Sequence, residues 1–125
     1  IADSTEAIRL NPKNPNAYYS RGLAKYHAKD YGGAIVDSSL AIHLKPDHAV
    51  AYNNRGCAKY ILGNHQEAIV DYTEAIRLNP DYADAYISRG YAYLGLMRKD
   101  NALEDFKRAK KLGNSVPHEV LDKCK

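Results

Sequence analysis

The sequence predicts an all-helical protein built from repeated helix pairs, and three observations lead to this prediction. The octapeptide TEAIRLNP occurs twice, at residues 5–12 and 73–80, which are 68 positions apart. A related octapeptide, SLAIHLKP, lies midway at residues 39–46, so the period of the chain is 34 residues. Within each period apolar residues recur at helical spacing, as Ala68 and Tyr72 do. This combination indicates two-helix units that stack and bury a core between neighbours.

Seven helices are predicted along the chain, each placed by its apolar spacing and by the residues that end it. The first carries one copy of the octapeptide and ends at Asn11-Pro12, because proline disfavours helical geometry in the residue before it. The six helices that follow alternate between the first and the second helix of a unit. The predicted bounds are 1–10, 15–28, 31–44, 49–62, 65–78, 83–96 and 100–112.

The clearest helix boundary lies at residues 63–67. Asn64 followed three residues later by Glu67 resembles a capping box, in which two side chains satisfy free backbone N–H groups at a helix start. Gly63 suits the end of the preceding helix, because glycine readily adopts a left-handed backbone. A helix end and a helix start are therefore predicted within a few residues of each other.

Three full units are predicted, with further segments at both ends. Residues 1–14 provide the second helix of a leading unit that lacks its first helix, which leaves one apolar edge uncovered. Residues 117–125 begin with Pro117, which suits the first turn of a helix, and are predicted to form a capping helix over the last unit. The predicted units are residues 15–48, 49–82 and 83–116.

Small and charged residues recur at fixed positions of the unit. A glycine inside a helix costs about 0.5–1 kcal/mol relative to alanine, so three glycines at one position indicate that two helices approach closely there. Arginine and aspartate at fixed positions predict a ladder of ion pairs, either within a unit or between neighbouring units. The recurring residues are Gly22, Gly56 and Gly90, Arg21, Arg55 and Arg89, and Asp37, Asp71 and Asp105.

The repeated pattern resembles the tetratricopeptide repeat, which has 34 residues and two helices per unit. In the middle unit the pattern is carried by Tyr52, Gly56, Ala58, Ala68, Ala75 and Pro80. The resemblance implies a right-handed α-solenoid of antiparallel helix pairs with a concave groove. The chain departs from the family at two positions of the first helix. Arg21, Arg55 and Arg89 replace a leucine, and Lys25 and Lys59 replace an aromatic residue that Tyr93 retains.

The resemblance also implies a ligand groove on the inner face of the first helices, and hence a protein or peptide ligand. The residues carried over to this face are mainly aromatic and aliphatic, with few charges. An alternative role for several of the tyrosines is packing between units. The predicted groove residues are Asn16, Tyr19, Leu23, Tyr26, His27, Val50, Asn53, Asn54, Cys57, Tyr60, Ile61, Asp84, Ile87, Tyr91 and Leu94.

One family binding mode holds the acidic C-terminal tail of a chaperone with lysines, an arginine and asparagines from three successive first helices. Among the corresponding residues here only Asn54 matches, and Asp84 has the wrong charge. Binding of a chaperone tail is therefore not expected.

Other classes of function find little support in the sequence. No Ser/His/Asp arrangement or phosphate-binding glycine loop is present, so neither an enzyme nor a cofactor is predicted. The five histidines are scattered, which disfavours a metal site. Cys57 and Cys124 are far apart and lack CxxC spacing, which disfavours a disulfide. No apolar run approaches the roughly 18–20 residues of a membrane-spanning helix.

The net charge of +3 is concentrated at the C-terminal end, where residues 98–125 carry eight basic and five acidic side chains. A solvated helix face explains this excess better than a nucleic-acid site, which usually has a stronger basic patch with aromatic residues between the charges. The compartment cannot be read from the N-terminus, and a cytoplasmic location is favoured. The predicted function is non-catalytic binding of a peptide or protein segment in the groove. The alternative is self-association into a homo-oligomer through the uncovered leading edge.

Overall fold

The computed structural model describes residues 2–113, and this part of the chain forms seven helices and no strand. The predicted all-helical fold is confirmed. The predicted capping helix at 117–125 lies outside the described residues. The helices are α1 (Ala2–Leu10), α2 (Pro15–His27), α3 (Tyr31–Leu44), α4 (Ala49–Ile61), α5 (His65–Leu78), α6 (Ala83–Gly95) and α7 (Lys99–Lys111).

The predicted ends of the first helices, at residues 28, 62 and 96, are each one residue late. The last helix ends at Lys111 rather than at residue 112. In all four cases the residue after the predicted end has a positive φ and cannot continue a right-handed helix, so the residue before it already lies outside the helix. These residues are Lys29 (φ 67), Gly63 (φ 89), Met97 (φ 63) and Gly113 (φ 100).

The helices form a solenoid in which each helix packs mainly against its neighbours in sequence. The pairs are α2–α3, α4–α5 and α6–α7, and they stack through contacts of α3 with α4 and of α5 with α6. Alanines fill the contacts between helices, because their short side chains allow close approach. Ala68 and Ala75 on α5 are both fully buried, and Ala102 and Ala109 are buried at the same places on α7.

Side chains cap only some of the helix starts. Asn14 accepts a hydrogen bond from the backbone N–H of Asn16 at 3.1 Å, and Asp30 accepts one from that of Gly33 at 3.0 Å. Asn64 makes no such bond at the start of α5. The predicted capping box is therefore wrong, because the backbone N–H of Asn64 donates to the Lys59 carbonyl at 2.9 Å and not to Glu67.

Two of the recurring glycines make room for an aromatic ring. A Cβ atom on Gly56 would lie 2.7 Å from Cε1 of Tyr72, and one on Gly90 would lie 2.7 Å from Cε1 of Phe106. The first helix pair has Ser38, which carries no ring, at the position that Tyr72 and Phe106 occupy in the second and third pairs. The nearest atom to a Cβ on Gly22 is consequently farther away, at 3.2 Å. The glycines of the second and third pairs are thus required by the buried rings that pack on them.

The arginines and aspartates form ion pairs within each helix pair. Arg55 donates from Nε to Oδ2 of Asp71 at 2.9 Å and from Nη2 to Oδ1 at 2.8 Å. Its third nitrogen, Nη1, donates to Oγ of Ser39 in the preceding pair at 3.2 Å. Arg89 repeats this arrangement with Asp105 and with Thr73. Each of these arginines therefore joins two helices of its own pair and also bonds to the pair before it.

The lysines that depart from the family pattern belong to the same ladder. Lys59 Nζ lies 3.1 Å from Asp71, and Lys25 Nζ lies 3.1 Å from Asp37. Burial disfavours the Asp37 carboxylate, yet hydrogen bonds and charge from Arg21 and Lys25 outweigh it and lower the pKa of Asp37.

The third pair has Tyr93 in place of this lysine, and its aspartate behaves differently. There burial exceeds the effect of the single arginine and raises the pKa of Asp105. The lysine at this position is thus a second cation for a buried carboxylate, and the chain has it in two of the three pairs.

Candidate functional site

Several predicted groove residues meet in one pocket on the inner face, between α2, α4 and α6. The pocket has a volume of about 200 Å³. It contains predicted residues from all three first helices, together with Tyr72 and Ser88, which the prediction omitted. The lining residues are Tyr26, Cys57, Tyr60, Ile61, Tyr72, Ser88 and Tyr91.

Three walls of the pocket are tyrosine rings of the first helices, and each of these rings packs against a second ring. Tyr60 stacks on His65 with ring centroids 4.8 Å apart. Tyr26 meets Tyr31 edge to face at 5.5 Å, and Tyr91 meets Phe106 edge to face at 5.4 Å. Because such aromatic pairs favour defined geometries, these contacts hold the walls in place before any ligand is bound.

The floor of the pocket is a small polar cluster. Cys57, Tyr72 and Ser88 line it together, and the Cys57 sulfur lies 3.9 Å from the Ser88 oxygen. Burial raises the pKa of the Cys57 thiol and of the Tyr72 phenol. Both groups are consequently neutral at physiological pH.

A second group of predicted residues lies where α4 begins. The ring of Tyr19 lies 5.2 Å from that of His48, and Asn53 is 8% exposed. Burial raises the pKa of Tyr82 to about 12. Burial, with the charge of Lys45, lowers the pKa of His48. Tyr19 therefore packs against the start of the next helix pair, and Asn53 is buried.

The remaining predicted residues are spread around these two groups. Ile87 and Leu94 pack against Phe106, so they support the core of the third pair. Leu23, Val50 and Asn54 are half-buried, whereas Asn16, His27 and Asp84 are exposed. The structure thus brings five of the predicted residues into the pocket and leaves the others beside it.

The prediction missed Tyr72 because it considered groove positions of the first helices only. It missed Ser88, which lies on the first helix α6, because it included this position of the unit only as Asn54. Tyr72 lies on α5, a second helix, and its hydroxyl reaches the pocket past Gly56. A signal was present in the alignment of the units, since Cys57 is much smaller than the residues at its position in the other units, Leu23 and Tyr91. A small residue there leaves room for the Tyr72 hydroxyl and for the pocket.

Across residues 2–113, no group of three histidine, cysteine, aspartate or glutamate side chains is placed to hold a metal ion. Cys57 is a free thiol. None of the helices in the described part of the chain is long and apolar enough to span a membrane.

Comparisons with known proteins agree with this architecture. Family models for the tetratricopeptide repeat match residues 4–49, 49–82 and 83–112. A comparison with curated protein sequences finds no significant match. A crystal structure of MamA is 31% identical over 87% of this chain with a TM-score of 0.81, and the chain spans 64% of that MamA chain.

Two further solved structures have similar size. The first tetratricopeptide domain of Spaghetti (RPAP3), bound to the HSP90 peptide SRMEEVD, is 26% identical, with a TM-score of 0.85 over 89% of this chain and 90% of that one. The tetratricopeptide domain of Arabidopsis OM64 is 28% identical, with a TM-score of 0.84 over 88% of this chain and 93% of that one. The repeat period, the helix pairs and these matches lead to one conclusion: the chain belongs to the tetratricopeptide repeat family.

Proposed function

We propose that the chain is a non-catalytic interaction module, which binds a peptide or protein segment along the inner face of α2, α4 and α6. The pocket between these three helices carries the proposal, because one extended ligand could contact all of its walls at once. The RPAP3 domain, which has the same fold, is bound to a peptide. Partly exposed tyrosines also suit binding, since they provide large contact areas at a low cost in side-chain entropy.

The ligand proposed here differs from an acidic chaperone tail. The peptide bound to RPAP3 contains two glutamates and ends in aspartate. The groove positions of this chain include no lysine or arginine and place an exposed aspartate, Asp84, on α6. An acidic segment would meet a like charge there and no cation to bind its carboxylates. The groove therefore favours a segment that is neutral or basic and carries apolar side chains.

Selection from a random-peptide display library tests the groove. We expect peptides that bind the parent chain and bind the Tyr60→Ala, Tyr91→Ala double variant at least about 10-fold more weakly, because truncating a central aromatic anchor costs more than about 1.4 kcal/mol. Binding is measured by isothermal titration calorimetry.

The matched control is a double variant on the outer face, Val36→Ala with Val70→Ala. Both valines are exposed, at 57% and 61%, and they lie on second helices away from the groove. This variant should bind the selected peptides as the parent does. Peptides that bind all three proteins equally would place the site elsewhere.

A second candidate function is self-association through α1. Leu10 on this helix is 73% exposed, which favours contact with an apolar surface of another copy. If α1 mediates association, the mass measured by light scattering after size exclusion should rise with protein concentration, and Leu10→Asp should abolish the rise. Met97→Asp is the matched control, since Met97 is 78% exposed and lies in the turn between α6 and α7. A strictly monomeric parent at high concentration would eliminate this candidate.

A further inference from the structure

The pocket exists because one position is occupied by a small residue. Cys57 lies at the position that Leu23 fills on α2 and Tyr91 fills on α6, and both of those side chains are larger. Solenoid units share a backbone geometry, so a large side chain fits this position in both neighbouring helix pairs. The space beside Cys57 is therefore about the size of a side chain that the fold accommodates elsewhere.

The volume of the pocket suits one large side chain. It measures about 200 Å³. An engineered apolar cavity of roughly 150 Å³ in another protein binds benzene. A phenyl or branched aliphatic group consequently fits between Tyr26, Tyr60 and Tyr91. The second rings behind these walls fix their positions, so that little ordering free energy is lost on binding.

The chemistry of the lining favours an uncharged, apolar occupant. None of the lining residues is lysine, arginine, aspartate or glutamate. Among the polar atoms of the floor, the Cys57 sulfur and the Ser88 oxygen lie 3.9 Å apart, so they are placed to pair with each other rather than with a ligand. A charged side chain would lose hydration here without gaining an ion pair, whereas an apolar one loses nothing and buries its surface.

A cation is the strongest competing occupant, because aromatic rings attract positive charge over their faces. That attraction requires free ring faces directed at the ligand. One face of Tyr60 is already covered by the stacked ring of His65, and the edge-to-face contacts of Tyr26 and Tyr91 occupy those rings as well. The apolar occupant is therefore the better fit.

We infer that this pocket binds a single leucine-like or phenylalanine-like side chain, which anchors the segment bound in the groove. The inference rests on the proposed groove function and adds the chemical class of its anchor. The position of the pocket between all three first helices makes it the point at which one side chain contacts every helix pair.

The test uses three small probes that share one ring, so that it depends on no peptide. Toluene is neutral, benzylamine is a cation at pH 7 and benzoate is an anion. Each is titrated into the isotope-labelled chain, and binding is followed by the NMR shifts of the backbone amides of Cys57, Tyr60 and Ser88. We expect toluene to bind at least 10-fold more tightly than either charged probe.

Two variants show whether the probe occupies this pocket. Cys57→Leu fills the space with the residue found at the same position of α2, and it should weaken toluene binding at least 10-fold. Val36→Ala changes an exposed side chain on α3 that does not line the pocket, and it should leave toluene binding within about twofold of the parent. If Cys57→Leu does not fold, Tyr91→Ala replaces it, because loss of that wall should also weaken binding.

Three results would overturn the inference. The first is that toluene, added up to its solubility limit, shifts none of the amide NMR signals. The others are that benzylamine binds as tightly as toluene, or that the Cys57→Leu variant binds toluene as tightly as the parent. These results differ from a failure of the groove function. A chain that binds selected peptides but not toluene contradicts the anchor alone. A chain that binds toluene but no peptide contradicts the groove function and supports an apolar pocket.

Discussion

Asp71→Ala is expected to lower the free energy of unfolding by about 3–5 kcal/mol, because it leaves two cations near the core without their partner. Asp71 is 2% exposed and receives two hydrogen bonds from Arg55, with Lys59 Nζ at 3.1 Å. Without the carboxylate, Arg55 and Lys59 lose their shared anionic partner in a place that water reaches poorly. Chemical denaturation followed by circular dichroism gives the change in unfolding free energy.

Glu74→Ala is the control for this prediction, because it removes a carboxylate from the surface of the same helix. Glu74 pairs with Arg77 one turn away, and both side chains are accessible to water. Exposed pairs of this kind contribute little to stability, so the variant should unfold almost as the parent does. Equal losses in the two variants would show that the buried ladder contributes no more than a surface pair.

Gly56→Ala is expected to destabilise the chain by about 1–3 kcal/mol, although alanine is the better helix former. The new Cβ would lie 2.7 Å from a ring carbon of Tyr72 and 3.2 Å from the backbone oxygen of Ala68. Tyr72 is 1% exposed, so its ring is enclosed and cannot move aside at low cost. The unfolding free energy from denaturant titration measures the effect.

Gly32→Ala is the control for the steric clash, because it makes the same substitution at a helix position where no clash is expected. Gly32 lies in α3, and nothing lies within 4 Å of the place its Cβ would occupy. Alanine should therefore stabilise this helix by about 0.5–1 kcal/mol through the smaller entropy of its unfolded chain. The two substitutions are chemically identical and should have opposite signs. A stabilising Gly56→Ala would show that the Tyr72 ring relaxes freely.

Much of the fold could be predicted because the sequence repeats. Each helix boundary is present in several copies, so the bounds are correct to within one residue, and the errors at residues 28, 62 and 96 share one cause. The partner of each arginine could not be predicted. A stacked repeat brings every arginine near aspartates of its own unit and polar residues of the neighbouring one, and only the geometry shows that Arg55 bonds to both Asp71 and Ser39.

The candidate site was harder to predict from the sequence than the fold was. The family resemblance indicated the inner faces of the first helices, but not which residues meet there. The pocket depends on a side chain from a second helix, Tyr72, and on the space beside Cys57. Whether Tyr19 and Asn53 face a ligand or pack on a neighbour also depends on the angle between pairs, which no single unit determines.

The arginine bonds between neighbouring pairs have a consequence for how the chain folds. Arg55 and Arg89 each bond to a hydroxyl on the preceding pair, so that a pair is fully bonded only when its predecessor is already in place. Such nearest-neighbour coupling favours concerted assembly of the stack over independent folding of its parts. The proposed groove requires three successive first helices. Its capacity to bind would then appear in a single step with the folding of the whole array, and partly assembled intermediates would present no groove to a partner.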